Sequence, residues 1–230
     1  MIKAVLFDLD GTLLNRDESL KIFVHNQYER LLNGMGHINK GKFVMRFIEL
    51  DNRGYVWKDK VYKELVSEFD ITKISWEELL EDYINQFKLS CQAFPNLISM
   101  LEGLKLNNFK IGMITNGIGD FQMGNIKELG IEKYFDIILV SETEGLKKPD
   151  SQIFFKALEK LNILPEESIY IGDHPDNDIK ASKKIGMKAI WKKDFIWKCM
   201  DADFIIEDLA EIPLLIEKLN KPDRKINTGC

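Results

Sequence analysis

A chain of 230 residues, 45% hydrophobic and 30% charged, can bury one large core with a modest insertion and has the composition of a globular protein, not a disordered or fibrous one. With 32 basic against 37 acidic side chains the net charge is −5, which gives no basic footprint for gripping a nucleic-acid backbone. Three widely spaced cysteines (Cys91, Cys199 and Cys230) in no C-x-x-C, and no apolar run approaching the roughly 20 residues of a spanning helix, exclude a disulfide framework, a zinc site and a membrane span, so the protein is expected in the cytoplasm.

The first apolar run lies in AVLFDLDGT (4–12) and reads as a buried strand that breaks at Asp8. From about residue 15 to 91 the apolar residues recur at helical spacing, as in Ile22, Phe23 and Tyr28 and again in Leu79, Leu80, Tyr83 and Ile84. Three to five helices and no strand are predicted there. The strand pattern resumes after Phe94-Pro95, in IGMITNG (111–117), DIILVSE (136–142), SIYIGD (168–173) and MKAIW (187–191), with a short sixth run at 204–206. Helical patterns separate them, such as Ile153, Phe154, Ala157, Leu158 and Leu161, and a last helix runs through Leu215 and Leu219. Strands alternating with amphipathic helices predict an α/β fold: a Rossmann-like parallel sheet flanked by helices over residues 1–14 and 93–230, interrupted by an inserted all-helical subdomain over 15–92. Residues 221–230 read as a frayed terminus.

In an open parallel sheet, ligands bind beyond the carboxyl ends of the strands, so the residues closing each run are where chemistry is sought. The first run closes on Asp8-Leu9-Asp10-Gly11-Thr12, the second on Thr115-Asn116-Gly117, and the fourth on Gly172-Asp173 followed by His174, Asn177 and Asp178. After the third come Ser141, Glu142 and then Lys147-Lys148-Pro149-Asp150. Asp8 and Asp10, two apart on extended chain, point the same way. Like charges that close are tolerated when a divalent cation or a shared proton neutralises them, and Asp173 and Asp178 add more negative charge. An oxygen-rich site of this kind suits Mg²⁺ better than zinc. Other devices are missing. The aspartates do not have EF-hand spacing, no G-x-G-x-x-G or P-loop is present, and there is no G-x-S-x-G.

In order, the D-x-D-G-T of Asp8 to Thr12, Thr115-Asn116, Lys148-Pro149 ahead of an Ile-Phe helix, and the G-D-x-x-x-x-D ending at Asp178 resemble the four motifs of the haloacid dehalogenase superfamily. The resemblance covers residues 3–13 and about 94–219, and the helical insertion is similar in position and character to that family's small cap. It implies an Mg²⁺-dependent phosphatase working through an aspartyl phosphate. Asp8 would be the nucleophile, and Asp10 the general acid and base, its carbonyl also on the metal. Thr115, Asn116 and Lys148 would clamp the phosphoryl oxygens. Asp8, Asp10, Asp173 and Asp178 would form the metal site, Asp178 directly or through water, with Asn177 assisting. Retention of Asp10 favours ester hydrolysis over dehalogenation, because an alkoxide needs a proton to leave.

The expected substrate is a small phosphorylated metabolite: a sugar phosphate, phosphoglycolate or a nucleoside monophosphate. A phosphomutase of the same fold is the alternative, and a non-catalytic phosphoacceptor module is the third reading. The cap would set specificity, with Arg46 and Arg53, and Gly117 from the core, as substrate-binding candidates. His25, Tyr28 and Trp57 are further candidates in the cap, and Trp57 is expected to pack inside it. His174 reads as a bystander. The segment from Trp191 to Trp197 reads as core and surface packing, with an exposed apolar patch of Trp191, Phe195 and Trp197 for self-association as the alternative, and a monomer or homodimer is expected.

Overall fold

The computed structural model describes residues 1–198 and 201–221. Cys199, Cys230 and the tail expected to fray after residue 221 lie outside them. Strand β1 (Ala4–Phe7) is followed by five helices: α1 (Arg16–Arg30), α2 (Leu32–Met35), α3 (Lys40–Asp51), α4 (Lys58–Glu68) and α5 (Trp76–Gln86). The alternation then resumes as α6 (Leu97–Leu106), β2 (Lys110–Thr115), α7 (Gly119–Glu128), β3 (Ile137–Val140), α8 (Ser141–Glu144), α9 (Ser151–Leu161) and β4 (Ser168–Gly172). A π-helical turn (Pro175–Lys180), α10 (Ala181–Lys184), β5 (Lys188–Lys192), β6 (Phe204–Ile206) and α11 (Glu211–Asn220) complete it. None of these helices is long and apolar enough to cross a membrane.

The strands form one six-stranded sheet in the order β3-β2-β1-β4-β5-β6, with every pairing parallel. The order runs outward in both directions from β1 and β4, so the crevice where connections diverge lies at their carboxyl ends. Val5 to Phe7 and Ile169 to Ile171 are fully buried, as continuous β-branched and aromatic runs must be when both faces of a parallel sheet are covered. Helix α9 shows why one face is covered. Its Ile153, Phe154, Ala157, Leu158 and Leu161 form one apolar stripe that packs on Leu6, Ile114, Leu139 and Tyr170, and Asp150 caps its first turn by accepting from the Gln152 N–H.

The residues divide into two compact units. One comprises Met1–Leu13, Ala93–Gln122 and the described chain from Ile131 onward; the other comprises Leu14–Gln92 and Met123–Gly130. The second is helical and aromatic-rich, with Phe23 against Tyr83 and Phe87, and Phe47 against Tyr62. It also buries a charge network. Asp51, fully buried, accepts from both the Arg16 guanidinium at 3.0–3.1 Å and the Gly54 N–H at 2.8 Å, and pairs with Lys58. Breaking such a buried pair typically costs about 3–5 kcal/mol, so the turn after α3 is fixed by charge as well as by packing.

Two sequence readings need correction. Trp191 is not part of an exposed patch: it is 5% exposed, because its indole N–H reaches inward to the Asp173 carbonyl at 2.7 Å. Only Phe195 of that trio is fully exposed, while Trp197 packs against His174 in a tilted arrangement with ring centroids 5.0 Å apart. Trp57 does not pack inside the helical unit either; it is 67% exposed, preceding α4 instead of lying on its buried face.

Candidate active site

The carboxyl ends of β1, β2 and β4 carry the residues that the sequence singled out. Asp8 extends the β1–β4 ladder by one step, its N–H donating to the Ile171 carbonyl at 2.9 Å, which sets its side chain beside the end of β4. There one carboxylate oxygen from each of Asp8, Asp173 and Asp178 falls within 4.8 Å of the others. All three residues are buried. Two glycines make the gathering possible. Gly11 has φ +81°, and a β-carbon there would collide with the Asp173 carboxylate; one on Gly172 would collide with Asp178.

Lys148 lies against this cluster. Its Nζ donates to Asp8 Oδ1 at 2.6 Å, to Asp178 Oδ1 at 2.6 Å and to the Tyr170 hydroxyl oxygen at 3.0 Å. Tyr170 donates in turn to the Ile114 carbonyl at 3.1 Å. Neighbouring Lys147 is exposed. Asn116 secures the lysine from the main-chain side, its Nδ2 donating to the Lys148 carbonyl and its Oδ1 accepting from the Lys148 N–H, both at 2.9 Å. The Asn116 amide therefore acts on the backbone of Lys148, where sequence reasoning expected it on substrate.

His174 is no bystander. Its Nδ1 accepts from the Asp176 and Asn177 N–H groups, each at 3.1 Å, so it caps the π-helical turn, and its own N–H donates to Asp178 Oδ2 at 3.0 Å. Those contacts set the position of Asp178 on the rim.

The electrostatics follow from burial. Desolvation pushes the Asp8 carboxyl up to about 7, Lys148 drawing it down while Asp178 and Asp10 raise it further. Burial, then the Asp8 and Asp178 charges, hold Asp173 well above the usual carboxylate range. For Lys148 burial favours the neutral amine, but Asp178 and Asp8 outweigh it and raise the ammonium well above its ordinary value. With all three carboxylates ionised, one ammonium would leave two negative charges unbalanced, the deficit a divalent cation corrects in place of protons. The donors are carboxylates without thiol or imidazole, which suits Mg²⁺.

Thr115, fully buried, and the partly exposed Asp10 stand at the ends of β2 and β1, and both accept from the Gln122 amide. The Asp10 carboxylate is not one of the three that converge. The Gly117 N–H donates to the Ser141 hydroxyl oxygen at 2.9 Å. Arg46 and Arg53 belong to the helical unit, where Arg46 pairs with Glu49 and Glu68 and Arg53 with Asp17. Arg46's charge is thus already met within its own unit.

Sequence reasoning missed Tyr170 and Gln122. Tyr170 hides in the run SIYIGD, where its ring reads as core and only the hydroxyl is functional. Gln122 carries a weak signal, a polar residue between Phe121 and Met123 on a helix that starts just after the second strand.

Residues 5–192 match the family model for haloacid dehalogenase-like hydrolases. The chain is 30% identical over 229 residues to a glyceraldehyde 3-phosphate phosphatase of Methanocaldococcus jannaschii, covering 96% of this chain and 100% of that protein. It is 29% identical over 196 residues to a phosphoglycolate phosphatase of Aquifex aeolicus, covering 83% and 85% of the two chains. Among solved structures, a HAD phosphatase from Thermococcus onnurineus superposes with a TM-score of 0.66 at 28% identity, over 94% of this chain and 98% of that one.

Proposed function

The chain belongs to the haloacid dehalogenase-like hydrolases, and from that membership we propose that it is an Mg²⁺-dependent phosphatase that hydrolyses a small phosphorylated metabolite through an aspartyl phosphate on Asp8. The observation that carries this reading is the buried meeting of Asp8, Asp173 and Asp178 around Lys148, with Asp10 two residues beyond the nucleophile. Asp8, Asp173 and Asp178, with the Asp10 carbonyl, would hold Mg²⁺, which when bound neutralises their charge and that of the phosphoryl oxygens.

The chain's own groups divide the rest of the work. An Asp8 oxygen attacks phosphorus in line with the leaving oxygen, forming the acyl phosphate and splitting one difficult step into two. Asp10 gives a proton to the leaving oxygen, then as a carboxylate takes one from the water that attacks the acyl phosphate. Lys148 offsets negative charge on both sides of the transfer. Two buried carboxylates and a tyrosine fix its Nζ, while Asn116 fixes its main chain, so little reorganisation is needed as charge builds. Thr115 offers its hydroxyl hydrogen to a phosphoryl oxygen. We assign substrate selection to the helical unit, with Arg53 as a candidate residue for it.

The relatives' names support a three- or two-carbon phosphate ester as substrate. Phosphate release from a panel of sugar phosphates, phosphoglycolate and nucleoside monophosphates with Mg²⁺ is expected to favour the small carbon phosphates by at least about tenfold in kcat/KM. Turnover of none of them would contradict the reading, and accumulation of an isomerised sugar phosphate ahead of free phosphate would turn it into a phosphomutase.

A further inference from the structure

One buried polar side chain of the core has no part in the mechanism as described: Gln122, 2% exposed, in the first turns of α7. Its Nε2 donates to Asp10 Oδ2 at 2.7 Å and to Thr115 Oγ1 at 2.8 Å, with the Asn116 carbonyl at 3.3 Å. Chemistry fixes which end of the amide faces this way, since an ionised carboxylate and a carbonyl can only accept. The two short bonds use the two amide hydrogens, so one nitrogen ties the end of β1 to the end of β2.

Each bond has a consequence for the atom it leaves over. Among the described residues this is the one side-chain hydrogen bond that Asp10 makes, so with Oδ2 tied down, Oδ1 is the oxygen left to carry a proton. Thr115 Oγ1 accepts from the amide, which leaves its own hydrogen to be given elsewhere. Gly117 belongs to the same device. A β-carbon there would come within 2.8 Å of Gln122 Cγ, so the glycine that sequence reasoning placed at the substrate clears the path of the amide.

We propose that Gln122 is a positioning residue for the leaving-group step: it aims the Asp10 carboxyl at the leaving oxygen and turns the Thr115 hydroxyl into a donor toward the phosphoryl group. The inference rests on the reading of Asp10 as general acid. In that step the bond from Asp8 to phosphorus forms and the bond from phosphorus to the leaving oxygen breaks. The proton on Asp10 Oδ1 passes to that oxygen, which departs as an alcohol. Asp10 is left as a carboxylate, and the bond from Gln122 to Oδ2 becomes charge-assisted and stronger as the proton departs.

The test compares two esters on the full-length protein with Mg²⁺. p-Nitrophenyl phosphate releases a phenolate that leaves without a proton; glycerol 3-phosphate releases an alkoxide that needs one. Gln122→Leu is expected to lower kcat/KM roughly 100-fold for glycerol 3-phosphate and less than roughly tenfold for the aryl ester, the common part being the loss at Thr115. Gln122→Met keeps the length and fills the same space while removing the donor, so it should show the same selective loss even if the leucine variant folds poorly. With Asp10→Asn as background there is no acid to aim, and Gln122→Met should then affect both esters equally. An active wild type in which both Gln122 variants lose the two activities in equal proportion, or lose neither, overturns the inference alone. A wild type that hydrolyses neither ester overturns the phosphatase reading and this inference with it.

Discussion

Asp8→Asn is expected to reduce hydrolysis of p-nitrophenyl phosphate by at least about 10⁴-fold while leaving the protein folded, because an amide cannot form the acyl phosphate. The fold should tolerate the change. Asparagine has the shape of the aspartate, and Lys148 keeps its bonds to Asp178 and Tyr170. Burial disfavours the ionised Asp8 carboxylate strongly enough to push its proton affinity to about 7. A neutral amide escapes that cost, so the metal-free variant should melt no lower than wild type at pH 8. Steady-state turnover and melting curves on the same preparation check both halves. Retained activity would remove Asp8 from the chemistry, whereas lost activity with a collapsed melting transition would mean that the residue serves structure.

Removing divalent cations is expected to abolish turnover and to expose the titration of the acidic cluster. Without a cation the Asp8 carboxyl titrates near 7 in the folded protein, against 3.8 for an ordinary aspartate. Between those values the folded state holds a proton that the unfolded chain has released, so stability falls as pH rises from about 4 to 7. Asp173, raised in the same direction, adds to the fall. Lys148 is raised as well, but its contribution is present in full below the ordinary lysine value of 10.5 and does not change across this window. A cation must displace the protons held by Asp8 and Asp173, so Mg²⁺ affinity should rise at least about tenfold per pH unit up to about pH 7. Melting in EDTA should therefore drop between pH 5 and 8 while the gain on adding Mg²⁺ grows. A gain that does not vary with pH would place the ion away from these carboxylates.

The sheet was legible because its strands are buried on both faces and read as unbroken apolar runs, and the helical insertion because its period never drops to two. Strand ends were less sharp. β2 stops at Thr115, before the Asn116-Gly117 included in its run, since those two residues leave the ladder to engage Lys148 and Ser141. The gathering of Asp8, Asp173, Asp178 and Lys148 could be anticipated from acids and a lysine standing at strand ends. What those positions do to one another could not. Asn116 binding backbone, His174 capping a turn, Tyr170 steadying an ammonium and Gln122 joining two strands all depend on where a side chain points once the strands are adjacent. In sequence each is an ordinary polar or aromatic residue. Trp57 shows the same limit from the apolar side, exposed against expectation.

The proposed hydrolysis turns on Asp8 taking the phosphoryl group. A single turnover with a phosphate ester labelled in its phosphoryl group, quenched in acid and digested, should place the label on the peptide bearing Asp8. That label should be released by hydroxylamine, be absent from Asp8→Asn, and rise and decay fast enough to carry all the product. Free phosphate appearing with no label on the protein, or with the label on any other residue, would contradict it.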